Sequence, residues 1–390
     1  MNNMKGISRK VVVLIIACIL IVATIIAYYC YNLQRQTSSE AEPPALRSLT
    51  GEEKERVRNL IEGARQEGRL VWYGINIYQE YAPGIETAFR EYYGLPNFVI
   101  EYTYTSASEL MTRVEQEISA GSVTVDVIWT GTYHWLVSLR NRGLLMYYES
   151  PNYKYYNASE TLGMNSRGYW VADAYTLSTP VINLDALKQK IGWTEIPEFV
   201  SYWSFIRPEF RGLVMCPDVA RSETNAFVFA VLYEKLGRSY FEQIRDVLNP
   251  IFLVKSGDFL GYLETGDYPI ALPNNPKLKE LLENRGINAA AIFPAEGVVW
   301  IPFCLTAMKD APHPNAAKLF IDFMRSEVGL NAILDQGVCL APGHENVESP
   351  RPDIYPNLKD IRGIQVNYEE FYTIENIQHY INIWREIFGR

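Results

Sequence analysis

Cysteine and histidine are scarce in this chain of 390 residues, with 5 of the first and 4 of the second. No two cysteines stand in C-x-x-C spacing, which leaves no zinc ribbon and no thioredoxin-like site. Cys18 and Cys30 fall in an apolar run. Cys216, Cys304 and Cys339 allow one disulfide at most or none, so this is not a disulfide scaffold, and a buried free thiol is the plain reading for each. His134, His313, His344 and His379 are scattered without metal-ligand spacing, so no metal is expected. There is no G-x-S-x-G elbow, H-E-x-x-H pair, Walker loop or EF-hand loop. Carboxylates are plentiful, but sequence alone cannot pair two of them across a cleft, and a glycosidase reading has no positive support. Positive charge is short as well. Lys and Arg number 36 against 45 Asp and Glu, for a net charge of −9, and no clustered cationic face offers itself to a nucleic acid. Internal repeats and low-complexity tracts are missing too. No motif here supports an enzyme, and no cofactor is expected.

What is present is a globular composition, 48% hydrophobic and 21% charged, at a length that suggests about two domains. Val11 to Tyr31 is a run of 21 residues without a charge. As a helix it would cross a bilayer core of roughly 30 Å. Lys5, Arg9 and Lys10 precede it, so the positive-inside rule keeps the short N-terminus in the cytoplasm and sends the rest outside. The run exceeds the h-region of an ordinary signal peptide, about 7–15 residues. Two other readings stay open. Ile15-Ile16-Ala17-Cys18 resembles a lipobox, although apolar residues follow the cysteine, and Lys5-Gly6 resembles a prepilin-like cleavage signal that leaves the apolar helix on the mature chain. The stretch 32–48 reads as a polar tether. Asn157-Ala158-Ser159 is a glycosylation sequon.

From residue 50 onward helix and strand signals alternate. Thr50 with Glu53 and Ser106 with Glu109 have capping-box spacing. Val57, Leu60, Ile61 and Ala64 mark one buried helical face, and Ile85, Ala88, Phe89 and Tyr92 mark another. Leu70 to Tyr73, Phe98 to Tyr104 and Val123 to Trp129 read as strands between these helices. That βαβαβ order demands crossover helices and a largely parallel sheet. Further on, Tyr169 to Asn183 is extended and aromatic, 197–217 is loop-like, and 224–236 and 239–248 look helical. Residues 251–254, 268–272, 290–293 and 298–308 look extended, and Pro314 suits the first position of a helix.

Four strand-to-helix junctions carry glycine, hydroxyls or a carboxamide: Gly74-Ile75-Asn76 after Tyr73, Thr105 to Ser108, Thr130 to Thr132 after Trp129, and Ser222 to Thr224. Such junctions offer backbone N–H groups and hydroxyls at positive helix ends, which suits a polar or anionic ligand. Ser and Thr are also ordinary N-caps. Ligands of parallel sheets bind at the carboxyl ends of the strands. Trp129, Tyr175 and Trp300 fall at expected strand ends, where they either line a pocket or pack in the core.

Five stretches resemble family 1 extracellular solute-binding proteins of ABC importers, the branch with ferric-ion, polyamine and phosphonate-type binders. GRLVWYG is similar to the family's first strand. SASELMTRVEQEISAGSVTVDVIWTG carries its helix, its Gly121 turn and its Asp126-Val127 strand. TPVINLDAL resembles the hinge strand, ending near Asn183. IPEFVSYWSFIRPEFRGLVMCPD matches through Pro197, Trp203, Pro208, Gly212 and Pro217. APHPNAAKLFIDFMRSEVGL matches through Pro314, Ala317, Phe320, Ile321, Phe323, Ser326, Glu327 and Gly329.

The resemblance spans roughly residues 68–340. It implies an α/β, two-lobed type II periplasmic-binding-protein fold with a ligand cleft between the lobes, here preceded by one N-terminal transmembrane helix. The expected division is a cytoplasmic N-terminus at 1–10, an anchor or retained signal helix at 11–31, and a tether at 32–48. Lobe one follows at 49–176, lobe two at 177–291, a return to lobe one at 292–335, and a C-terminal helical segment packing on the lobes at 336–390.

Junction position and this likeness together mark Tyr73, Asn76, Ser106, Ser108, Trp129 and Thr130 in lobe one. In the hinge and lobe two they mark Tyr175, Ser222, Thr224 and Trp300. The implied role is a membrane-tethered, extracytoplasmic and monomeric receptor that captures a small polar or anionic solute and delivers it to an ABC permease. One departure bears on the cargo. Ferric-ion members carry a tyrosine pair where this chain reads Pro273-Asn274-Asn275-Pro276, so ferric iron stands as an alternative only. An extracytoplasmic sensor is the other alternative, with only about ten residues inside the cell to signal through. A tethered hydrolase would need a nucleophile or metal motif that the sequence does not show.

Overall fold

The computed structural model describes residues 22, 42–193, 200–254, 256–338 and 340–389. The charge-free run 11–31 lies outside the described residues apart from Val22, as do Cys18, Cys30 and Cys339. Among the described residues no helix is long and apolar enough to cross a membrane. Cys216 and Cys304 are free and buried.

The first half follows the hydrophobic pattern closely. Helix α1 (Gly51–Glu67) buries Val57, Leu60, Ile61 and Ala64, the face that the spacing marks. The capping box expected at its start does not form. Thr50 accepts no hydrogen bond there, and Glu53 instead holds Arg56. Strand β1 (Arg69–Gly74), helix α2 (Ala82–Tyr93), strand β2 (Val99–Tyr104), helix α3 (Ala107–Ser119), strand β3 (Val127–Thr130) and helix α4 (Tyr133–Asn141) follow. The strands pair in parallel in the order β2-β1-β3, as crossover helices require. The second expected capping box is made in full, Ser106 with Glu109. Strand β3 is shorter than its apolar run because Asp126, fully buried, acts as a staple at its start. Its carboxylate accepts from the N–H of Val71 at 2.7 Å and of His313 at 2.7 Å.

Strand β4 (Ala174–Asn183) is buried at all ten positions. A strand buried throughout belongs to the interior of a sheet. Its first half pairs with the later strand β9 (Val299–Ala307), and its second half pairs with β7 (Ile270–Asn274) and β8 (Ala289–Ala291). The register shifts between Thr179 and Val181. Pro180 stands at that switch, where the lack of an N–H costs no ladder bond. Asn183 then caps helix α5 (Leu184–Ile191), accepting from the N–H of Ala186 at 2.9 Å.

The second lobe adds β5 (Val214–Pro217), α6 (Glu223–Leu236), β6 (Ile251–Leu253), α7 (Ser256–Thr265) and α8 (Lys277–Glu283). Its strands run in the order β4-β7-β5-β6. Strand β5 arises inside a stretch that reads as loop, since four residues ending in proline are too short for a periodic signal. Strand β9 returns antiparallel to β4 and then to β3. Thus β4 and β9 both cross from one half of the sheet to the other.

Helices α9 (Pro314–Met324) and α10 (Glu327–Leu334) complete lobe one, where Phe320 packs 5.0 Å from Trp72. Strand β10 (Ala341–Pro342) then pairs with β4. The remaining chain crosses both halves and ends in α11 (Ile374–Phe388), docked on lobe two through Trp384 against Phe252 and Tyr380 onto Glu234. At the other end, the short helix Pro44–Arg47 buries Ala45 and Leu46. The last residues of the stretch read as a tether are therefore part of the folded body.

Candidate functional site

The carboxyl ends of the lobe-two strands meet the two crossing strands in a pocket of about 130 Å³. Thr176, Ser178 and Ile301 supply the hinge side. Pro217 ends β5 and Val254 follows β6, Asn274 ends β7 and Asn275 follows it, and Thr224 and Asn225 lie in the first turn of α6. Val228 and Phe259 close the apolar wall. This is the strand edge at which open α/β sheets hold ligands, because backbone N–H groups at helix starts are left without intrahelical partners there. Among the described residues the lining carries hydroxyls and carboxamides and no charged side chain.

Two side-chain contacts between the lobes lie near this edge. His134, in the first turn of α4, faces Glu223, the first residue of α6, at 3.4 Å. Lys277, at the start of α8, lies 5.8 Å from the ring centre of Tyr78 in lobe one. Burial holds the His134 imidazole below its ordinary range, against the opposing pull of Glu223. The third and fourth junctions therefore oppose each other across the seam. The first and second are neighbours: Tyr78 packs edge-on against Tyr104 at 5.2 Å, and Gln79 accepts from the N–H of Tyr104 at 3.0 Å.

The ten residues marked from sequence have different fates. Thr224 borders the pocket, and Ser222 caps its helix by accepting from the N–H of Asn225 at 3.3 Å. Asn76 is exposed and takes φ 68°, a left-handed conformation that asparagine tolerates. The Ser106 and Ser108 hydroxyls lie 3.3 Å apart at the start of α3. There Ser106 also donates to Glu109 at 2.8 Å, so this helix start already carries a carboxylate of its own. Thr130 is buried and accepts from the N–H of Thr132 at 3.1 Å.

The aromatic members turn into the body instead of the pocket. Tyr73 donates to Glu117 at 3.1 Å beneath the Arg113 guanidinium, 4.1 Å from its ring centre. Trp129 is fully buried and stacks on Phe303 at 6.4 Å. Tyr175 and Trp300, also fully buried, meet edge to face at 5.4 Å within the hinge. Strand-end aromatics are placed here by the demand for apolar burial within the cores.

Sequence reasoning missed Thr176, Ser178, Asn225, Asn274 and Asn275 as pocket residues. The signal for the last two was present, a carboxamide pair between prolines at the end of an apolar strand. The hydroxyls of β4 sit in a strand whose pairing partners change along its length, and only the fold shows which of them reach open space.

A family model described as bacterial extracellular solute-binding protein matches residues 123–356. No curated protein matches the sequence. Among solved structures, the chain is similar to the periplasmic binding protein AfuA from Actinobacillus pleuropneumoniae with exogenous fructose-6-phosphate bound. Identity there is 18% and the TM-score 0.63, over 83% of this chain and 99% of that one. Iron-bound HitA from Pseudomonas aeruginosa gives 18% and 0.61, over 82% and 99%. The ferric binding protein from Campylobacter jejuni gives 20% and 0.60, over 82% and 99%. At these identities the likeness is one of fold.

Proposed function

The chain belongs to the bacterial extracellular solute-binding protein family, which serves ABC importers, and from that premise we propose that it is a membrane-tethered receptor for a small polar or anionic solute. The family's role is to bind a solute outside the cytoplasm and deliver it to a permease, without chemistry on the cargo. In this reading the run 11–31 anchors the chain, the following residues tether it, and the folded body acts as a monomer.

The observation that carries the reading is the pocket itself. It lies at the carboxyl ends of the lobe-two strands, beside two crossing strands, with the helix starts of lobe one opposite. Closure of two lobes over such a site expels water and strengthens each polar contact. Thr224 and Ser222 serve from lobe two, and Asn76, Ser106, Ser108 and Thr130 stand at the lobe-one edge. The Asn274-Asn275 pair lacks the phenolate oxygens that suit ferric iron, a hard cation that prefers anionic oxygen donors, and this favours an organic solute over iron.

Native mass spectrometry of the full chain, extracted in mild detergent, tests the proposal. A small organic adduct lost on denaturation is the expected result. A bound iron atom would defeat the argument from the carboxamide pair, and turnover of the adduct would defeat the receptor reading.

A further inference from the structure

Three carboxamides line the pocket, and backbone groups fix which way each one faces. The N–H of Lys277 donates to Asn275 at 2.9 Å. A backbone N–H only donates, so the atom it meets is the Oδ1 oxygen. The hydroxyl of Tyr355, from the C-terminal segment, donates to the same oxygen at 3.0 Å. The Nδ2 of Asn275 is therefore directed the other way. One of its protons goes to Thr176 Oγ1 at 2.8 Å, and the second remains. Thr176 uses its oxygen as an acceptor in that bond, which leaves its own proton to donate.

Asn274 follows the same logic. Its Oδ1 accepts from the N–H of Asn275 at 2.8 Å, so its Nδ2 is left over. Asn225 is reversed. Its Nδ2 donates to the carbonyl of Asp218 at 3.2 Å, so its Oδ1 is left over. The wall thus offers donors from Thr176, Asn274 and Asn275 against one carboxamide acceptor from Asn225, with the Ser178 and Thr224 hydroxyls able to serve either way. Among the described residues no Lys, Arg, Asp or Glu is in the lining. Glu223, at the start of α6, faces His134 across the seam.

We infer that the pocket selects a solute through an oxyanion group, a carboxylate or a phosphate, held by neutral donors, and that Tyr355 is a positioning residue for that selection. An excess of donors is matched by a group that only accepts. A polyol brings protons of its own that would need acceptors, and an ammonium or hydrated cation would meet donors pointing at it. Hydrogen bonds from neutral donors to an ionised acceptor are the stronger kind, and in a closed cleft they gain further from the low dielectric. Tyr355 touches no solute in this arrangement. It acts through Asn275 by joining the Lys277 N–H in holding that oxygen away from the pocket. This inference rests on the receptor reading and deepens it.

The test is titration of the full chain in detergent with succinate, glycerol 3-phosphate, glycerol and spermidine, beside a native mass measurement of any co-purified solute. Succinate or glycerol 3-phosphate should bind, with glycerol and spermidine weaker by about 100-fold or more. Asn275→Asp should cost the oxyanion about 100-fold and raise spermidine affinity, a reversal of preference that a merely structural defect would not produce. Tyr355→Phe should weaken the oxyanion by about three- to ten-fold with an unchanged unfolding midpoint. Tighter binding of glycerol or spermidine to the native chain would overturn the inference. So would a neutral or cationic co-purified solute, or an Asn275→Asp variant that keeps its oxyanion affinity. Absence of any solute, bound or co-purified, would instead defeat the receptor reading beneath it.

Discussion

Tyr372 offers a direct test of how the two lobes are held. It is 3% exposed. Its ring lies 4.3 Å from Phe227 of α6 at an interplanar angle of 22°, and 6.5 Å from Tyr133 of α4 at 8°. One partner belongs to each lobe, so the ring is a wedge between them. Three residues earlier, Glu369 pairs with Arg140 of α4, and α11 fixes the segment to lobe two. Tyr372→Ala removes a fully packed aromatic and leaves a void that neither lobe can fill alone. Truncations of this kind cost about 3–5 kcal/mol, the stacking with two rings adding to the loss of burial. Urea unfolding followed by tryptophan fluorescence measures it as a lower midpoint. Scattering should show a larger radius of gyration, since the wedge also limits how far the lobes part. Tyr372→Phe keeps both stacks and should stay within about 1 kcal/mol of the native chain. A loss below about 1 kcal/mol for the alanine variant, with unchanged dimensions, would refute the packing argument.

Three further outcomes are expected. Arg325→Met breaks a fully buried pair with Asp173 at 3.2 Å and should cost about 3–5 kcal/mol by urea unfolding. Burial already pushes the Asp173 carboxyl above its usual range, so that deficit should shrink as pH falls and the carboxyl is neutralised; a deficit that does not change between pH 8 and 5 would contradict this. Asp353 is held below the usual carboxylate range by Arg351, with Lys279 helping against a desolvation penalty. Its contribution is present above an unfolded value of about 3.9 and lost below that as pH falls through the folded one. Hydrogen exchange in residues 348–364 should therefore rise only in that acid range, and Asp353→Asn should remove the rise. Gly343→Ala would drive a Cβ into the carbonyl oxygen of Ala172 beside the hinge, and the soluble yield should fall sharply. A normal yield would mean that the β10–β4 approach is looser than it looks.

Much of lobe one was legible in the sequence because local and tertiary demands agree there. The spacing of Val57, Leu60, Ile61 and Ala64 and the Ser106–Glu109 box are short-range patterns, and the structure keeps both. Thr50 shows the limit of such patterns. Its spacing to Glu53 is right, yet Glu53 is drawn to Arg56, which also reaches Asp322 at 2.8 Å from a distant helix. The aromatic residues at strand ends misdirect for a related reason. Trp129 belongs to one buried cluster and Tyr175 and Trp300 to another, and apolar burial places all three inside.

By itself the sequence determined the alternation of elements, the parallel order of the first three strands, the family, and the junctions at which helix starts gather. These depend on periodicity, capping and turn chemistry within a few residues. The tertiary structure alone decided the pocket wall. Asn275 faces as it does because Lys277, close by in the chain, and Tyr355, 80 residues further on, both donate to its oxygen. Which hydroxyls of β4 reach open space follows from partners that change along the strand, β9 at Thr176 and β7 from Thr179. Those pairings join segments about a hundred residues apart, and no local pattern encodes them.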